Sequence, residues 1–206
     1  MKGPYADQAV NEIYELLFCD HPENYRKSIQ PPFRYPWDAI LNDNPNQKDL
    51  NKVIMDTMVE SRIRLIACHI LKTLNHAPPE KILLGVIVEI GMDEGLDVLA
   101  AFRDGSARYI NYTSRLLIWE HSDLHSALLT KKIFDESERI VAKIGPWNQP
   151  RKKYPATGDL RISFLMSDGL YFGEGPVNIL FKDPMAGPAL NAATEMLQYI
   201  TEKVRP

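Results

Sequence analysis

The sequence predicts an α+β fold, a five-stranded, mainly antiparallel sheet packed by long helices in the order αα-βββ-α-ββ-α. Three observations predict it. Long segments with apolar residues three and four apart are separated by short runs rich in β-branched and aromatic residues. Those runs come in clusters joined by tight turns, which argues against a doubly wound parallel sheet. Asp-Gly pairs at 104–105 and 168–169 stand between strand-like runs, and this dipeptide is the strongest short hairpin signal.

Residues 5–19 read as a first helix, with Ala9, Ile13 and Leu16 or Leu17 at helical spacing. Pro22, Pro31, Pro32, Pro36 and Pro45 then break the pattern, because proline lacks an N–H donor and blocks helix continuation. Residues 20–46 are therefore expected as an ordered, irregular connector with one helical turn near Trp37–Leu41. Phe33, Tyr35 and Trp37 would pin it to the body. Val59, Ile63, Ile66, Ile70 and Leu74 step by 4, 3, 4 and 4, predicting one helix over 48–75. Asn75 is expected as a left-handed cap before Pro78 and Pro79. This divides the chain into an N-terminal helix with a Pro-rich connector (1–47) and an α+β domain (48–206).

ILLGVIVEI (82–90) is almost wholly apolar, as a strand covered on both faces is. LDVLAAF (96–102) places Leu96, Val98, Ala100 and Phe102 on one face, and RYINY with RLLIWE (115–120) completes a β-meander. Residues 123–144 read as a helix with Ser122 as its cap. GPWNQPRKKYPATGD (145–159) is a Pro-rich connector. A second hairpin follows, then a short turn of helix with Pro176 at its start, and a terminal helix from about Pro188. Leu190, Ala193, Leu197, Ile200 and Val204 step by 3, 4, 3 and 4 along it. Helix 48–75 and the terminal helix are expected to cover one face of the sheet.

In the second hairpin, taking Asp168-Gly169 as a two-residue loop sets Phe164 opposite Gly173 and Ile162 opposite Gly175. Ile162, Phe164, Met166 and Tyr171 then share a face, with the glycines making room for bulky partners. Arg161 and Glu174 lie diagonally on the other face, close enough to pair. GEGP (173–176) makes a poor phosphate loop, since it lacks the strand–loop–helix setting and Glu174 would repel phosphate, so packing is the plainer reading and Tyr171 with Glu174 lining a groove the alternative.

A formal net charge of −3 gives no basic field for nucleic acid. Two cysteines make no disulfide framework, which points to a reducing compartment, and no apolar run is long enough for a membrane span or signal peptide. A cytoplasmic protein without nucleic-acid or membrane partners and without cofactor is expected. His121 and His125 stand four apart beside Glu120 and Asp123, but no third metal ligand is placed, so exposed cap residues are the plainer reading. Cys19, Asp20 and His21 bring thiol and imidazole together in sequence, although side chains two apart at a helix end diverge. Cys68 beside His69 reads as a core residue. PRKKY (150–154), near Trp147, mixes basic and aromatic residues but is a single cluster in an acidic chain.

LDVLAAFRDGSARYINYTSRLLIWE and RISFLMSDGLYFGEGP with the following DPMAGP resemble an uncharacterised family of bacterial cytoplasmic proteins over residues 83–200. That resemblance implies no activity. The order helix, three strands, helix, two strands, helix is similar to that of type III secretion chaperones, and implies a homodimer holding a protein partner. The chain departs from those chaperones in its long N-terminal extension. The first functional expectation is thus a non-enzymatic, protein-binding or chaperone-like module. The alternative is a small-ligand sensor or enzyme, with a pocket between sheet and Pro-rich connector lined by Trp119, Trp147, Tyr171 and Glu174. A flat apolar patch pairing with itself would favour the first, and a groove with converging polar groups the second.

Overall fold

The computed structural model describes residues 3–26, 29–120 and 123–203. Its centre is β1 (Leu83–Gly91), whose residues from Leu83 to Val88 are all buried. On one side lie β2 (Leu96–Phe102), β3 (Ala107–Ile110) and β4 (Leu116–Trp119). On the other lie β5 (Asp159–Met166) and β6 (Gly169–Pro176). The order is β4-β3-β2-β1-β5-β6, and every neighbouring pair is antiparallel. The sheet thus has six strands where the sequence predicts five. RYINY and RLLIWE form two separate strands because Asn111 makes the turn with its side chain. Its Oδ1 accepts the N–H groups of Thr113 and Arg115 at 3.1 and 2.8 Å. Such Asx turns reverse a chain without glycine or proline.

The helices are α1 (Gln8–Leu16), α2 (Glu23–Arg26), α3 (Trp37–Ile40), α4 (Gln47–Met55), α5 (Ser61–Thr73), α6 (Leu124–Val141), α7 (Val177–Leu180) and α8 (Ala186–Lys203). The segment expected as one helix over 48–75 is two. Asp56 is extended (φ −77°, ψ 104°), and its Oδ1 accepts the N–H of Met58 at 2.9 Å. The restart is capped from outside: Asp104, in the β2–β3 turn, accepts the Ser61 N–H at 2.7 Å, while Ser61 Oγ accepts the Asp104 N–H at 3.0 Å. A carboxylate at a helix start satisfies an orphan donor. Because this one arrives from 43 positions away, no local pattern marks the break.

Strand alternation sends two sets of side chains to two cores. Leu84, Ile87, Val98, Ala100 and Phe102 pack with α1, α3, α4 and α5. Val86, Val88, Leu99, Ala101, Ile162 and Phe164 pack with α6 and α8. The terminal helix therefore lies on the opposite face from α4 and α5, a correction to the expected single covered face. Ala189, Ala192 and Ala193 are buried on α8, and such small side chains let a neighbour approach closely. Ser122, expected to cap α6, lies outside the described residues, as does Val204 of the terminal stripe. Asp123 carries the α6 cap, accepting the Ser126 N–H at 2.8 Å while Ser126 Oγ accepts the Asp123 N–H at 2.9 Å.

The β5–β6 register also differs from expectation. Met166 faces Gly169, so Ser167 and Asp168 cross the turn. Phe164 faces Tyr171, Ile162 faces Gly173, and Arg161 faces Glu174 directly. Ser167 is held from outside the hairpin: its N–H donates to Ile82 O at 2.8 Å, and its Oγ accepts the Ile82 N–H at 2.9 Å. A residue tied to the entry of β1 cannot also face Leu170. The slip moves each partner by two positions, so every side chain keeps its expected face. Gly169 has φ +144°, which glycine tolerates and other residues rarely adopt. A Cβ on Gly173 or Gly175 would meet neighbours at 3.9 and 3.8 Å, ordinary contacts, so crowding does not dictate these two glycines.

Candidate functional site

Residues 145–158 form a strap across the α1–α5 face of the β5–β6 hairpin. Proline keeps it irregular, so its backbone must be tied down by other groups. Trp147 N–H donates to Leu170 O at 2.7 Å, and the Trp147 indole packs edge-on to Phe172 at 5.2 Å. Arg161 on β5 is 3% exposed. Its guanidinium donates to the carbonyls of Lys152 (3.4 Å) and Lys153, and to Glu174 Oε2 at 2.9 Å. At the far end, Gly158 N–H donates to Gly91 O at 3.0 Å.

Between the strap, α1, α5 and the hairpin turn lies a cleft of about 580 Å³. Phe18, Leu65, Cys68, Leu165 and Leu170 make its apolar floor, and Trp147 one wall. Lys72, His69, Arg151 and Lys153 bring polar groups to it. Concave apolar walls with a few convergent polar groups are the usual form of a small-molecule site.

The charges are not equivalent. Arg151 lies over the Phe18 ring at 3.9 Å, donates to Asp20 Oδ2 at 3.1 Å and pairs with Glu15. Burial works against its charge, but Asp20 and Glu15 outweigh burial and hold its pKa above the ordinary value. Burial lowers the pKa of His69, so this imidazole is neutral at pH 7. Burial also pushes the thiols of Cys19 and Cys68 up to about 12, so both stay protonated. A protonated thiol is a poor nucleophile. Cys19 Sγ faces the carbonyls of Leu16 and Leu17 at 3.6 and 3.7 Å, while His21 Nδ1 lies 2.9 Å from Glu23 Oε1. The sequence neighbours Cys19 and His21 therefore do not form a catalytic pair.

Tyr14 reaches from the cleft into the sheet. Its hydroxyl donates to Glu89 Oε1 at 2.5 Å. Glu89 is fully buried, and its Oε2 has no hydrogen-bond partner, with Arg161 Nη1 3.8 Å away. Burial raises the Glu89 pKa against the lowering influence of Tyr14 and Arg161. Burial, with Glu89 alongside, raises that of Tyr14 well above the ordinary value.

Of the four residues the sequence groups into a pocket, Trp147 lines this cleft. Trp119 ends β4 on the opposite face, edge-on to Tyr199 at 5.9 Å. Tyr171 also faces α6 and α8, with its hydroxyl donating to Asp168 Oδ2 at 2.9 Å. Glu174 is engaged with Arg161 beneath the strap. These four do not meet in one place. His121 lies outside the described residues, and the His125 ring packs against Tyr199 at 4.5 Å. Among the described residues no three histidine, cysteine or acidic side chains group as metal ligands. PRKKY contributes more than its sequence suggests: Arg151 and Lys153 line the cleft, and Lys152 lies over Trp147 and Phe172 at 5.5 and 5.1 Å. No sequence motif marks Lys72, Phe18 and Leu170. They belong to three elements distant in sequence, and only the β-hairpin packing brings them together.

No family model, curated protein or solved structure matches the chain. Among the described residues, no helix is long and apolar enough to cross a membrane.

Proposed function

We propose that the protein binds a small molecule in the cleft between the strap, α1, α5 and the β5–β6 turn, in a reducing, cytoplasmic setting. One observation carries this reading: a concavity of about 580 Å³ whose floor is apolar and whose polar groups converge from α5 and the strap. A thiol nucleophile is disfavoured in this cleft, because burial pushes both cysteines up to about 12. The two free, buried cysteines accord with the proposed compartment. The test is native mass spectrometry of the gently purified protein, followed by a thermal-shift screen of metabolites against wild type and Trp147→Ala. A ligand that stabilises wild type and not the variant supports the reading. A saturating screen with no shift, and no retained mass, defeats it.

A second reading, a homodimeric protein-binding module, is favoured by a different observation. Leu116 (37% exposed) and Ile118 (53%) sit on the edge strand β4, and Leu124 (81%) and Leu128 (59%) on α6. Exposed apolar side chains at an open sheet edge are a usual site of association. Sedimentation of wild type against Ile118→Lys/Leu128→Lys tests it. A monomer at micromolar concentration removes the dimer from consideration.

A further inference from the structure

The charges around the cleft say what kind of molecule it takes, a step that rests on the binding reading above. Both acids that line the cleft, Glu15 and Asp20, are engaged with the same guanidinium, Arg151. Arg151 is in turn stacked on Phe18 and only 15% exposed. One guanidinium against two carboxylates leaves this cluster a single negative charge, held at the wall by Arg151. Lys72 and Lys153 remain. Both are exposed, and neither has an acidic partner within ion-pair distance among the described residues. His69 adds no charge, because burial keeps it neutral at pH 7. Two unpaired ammonium groups thus stand against the one negative charge left on that cluster, so the lining is net positive in a chain whose formal net charge is −3. A cation would find Asp20, whose Oδ2 already accepts from Arg151 and whose Oδ1 is buried without a hydrogen-bond partner.

The rest of the lining selects for apolar bulk. Leu65, Cys68, Leu165 and Leu170 offer no charged group to a ligand at depth, and burying an unpaired ligand charge there would be costly. Tyr14, the phenol beside them, has its proton committed to Glu89. Lys72 sits at the hairpin turn, its Nζ 3.2 Å from where a Cβ on Gly169 would lie, and Lys153 comes from the strap. The charged heads are thus at the edge and the greasy surface is within.

We infer that the cleft takes an apolar organic acid, with its hydrocarbon or aromatic body against Phe18, Leu170 and Trp147 and its anionic group at Lys72 and Lys153. The complementarity is that of a lysine point charge, which holds a single anionic group without demanding the bidentate geometry an arginine fork would impose.

The test uses a matched pair of fluorescent probes, 1-anilinonaphthalene-8-sulfonate and neutral 1-anilinonaphthalene, which differ by the anionic group. Energy transfer from Trp147 locates them, with Trp147→Phe as the control. The sulfonate is expected to bind the wild type more tightly. The Lys72→Met/Lys153→Met variant should weaken the sulfonate by about tenfold or more for each ammonium removed and leave the neutral probe within about twofold. Lys131→Met/Lys132→Met, on α6 at the opposite face, should change neither. Equal affinity for both probes, or an unchanged sulfonate affinity in the Lys72/Lys153 variant, overturns the acid inference while the cleft remains a binding site. If neither probe transfers energy from Trp147, the binding reading itself fails.

Discussion

Replacing Arg161 with methionine should loosen the strap and destabilise the fold together. The substitution keeps the buried stem and removes the cation. In the native protein that guanidinium, 3% exposed, meets Glu174, two strap carbonyls and, at 3.8 Å, the fully buried Glu89. The strap carbonyls belong to exposed residues and can turn to water. Glu89 cannot, so it decides the magnitude. Removing one member of a buried ion pair costs roughly 3–5 kcal/mol. For a chain of this size that lowers the melting temperature by roughly 6–20 °C. Glu89 limits the loss by taking a proton. Its folded pKa is already above the 4.5 of an ordinary glutamate, through burial, and Arg161 is one of the groups that restrains it. In Arg161→Met the folded pKa rises further. A carboxyl held above its unfolded pKa loses stability as pH rises from the unfolded value through the folded one. The variant should therefore be closest to wild type near pH 5 and furthest from it at pH 7–8. Urea unfolding at pH 5 and pH 7.5 measures this, and the double variant with Glu89→Gln should recover part of the loss at pH 7.5. Trypsin gives an independent reading, because Arg151, Lys152 and Lys153 become cleavable once the strap lifts. A loss under about 1 kcal/mol at pH 7.5, with no coupling to Glu89→Gln, would refute the clamp.

Three further outcomes follow from the same contacts. Asp104→Ala removes the cap that α5 borrows from the β2–β3 turn and should cost roughly 1–2 kcal/mol in urea unfolding, more than Asp43→Ala on the exposed connector. Asp123 is held down at about 2 by the Ser126 N–H and the Tyr199 hydroxyl, so its contribution is present above the ordinary 3.8 and is lost as pH falls toward 2. Asp123→Asn should flatten that part of the acid-unfolding curve followed by circular dichroism. Cys19 and Cys68, both pushed up to about 12 by burial, should resist iodoacetamide at pH 8 and react together only on unfolding. Mass-resolved labelling in native buffer at the rate of a free thiol would contradict that burial.

How much of this was legible in the residues varies with the range of the forces involved. The α+β class and the antiparallel hairpins follow from local periodicity and turn chemistry, which each segment carries in itself. Asn75 adopts φ +59°, as a left-handed cap does. The hairpin's two faces survived a two-position slip because side chains alternate with period two. By contrast, the break at Asp56 needed Asp104, and the β5–β6 register needed the Ser167–Ile82 bonds. The turn at Asn111 had a local cause, a side-chain oxygen, but lacked the glycine or proline that usually marks one.

By itself the sequence determined which segments coil or extend and which side of each strand is apolar, since those depend on neighbours a few residues away. Only the tertiary structure decided which helices share a layer and that Lys72, Phe18, Leu170 and the strap enclose one cleft. Choosing among apolar faces of similar affinity for a sheet rests on packing between distant segments, and the hydrophobic effect that drives it carries no direction. Arg161 is the clearest instance: as a residue it reads as a strand charge, and as a contact it holds the strap in place.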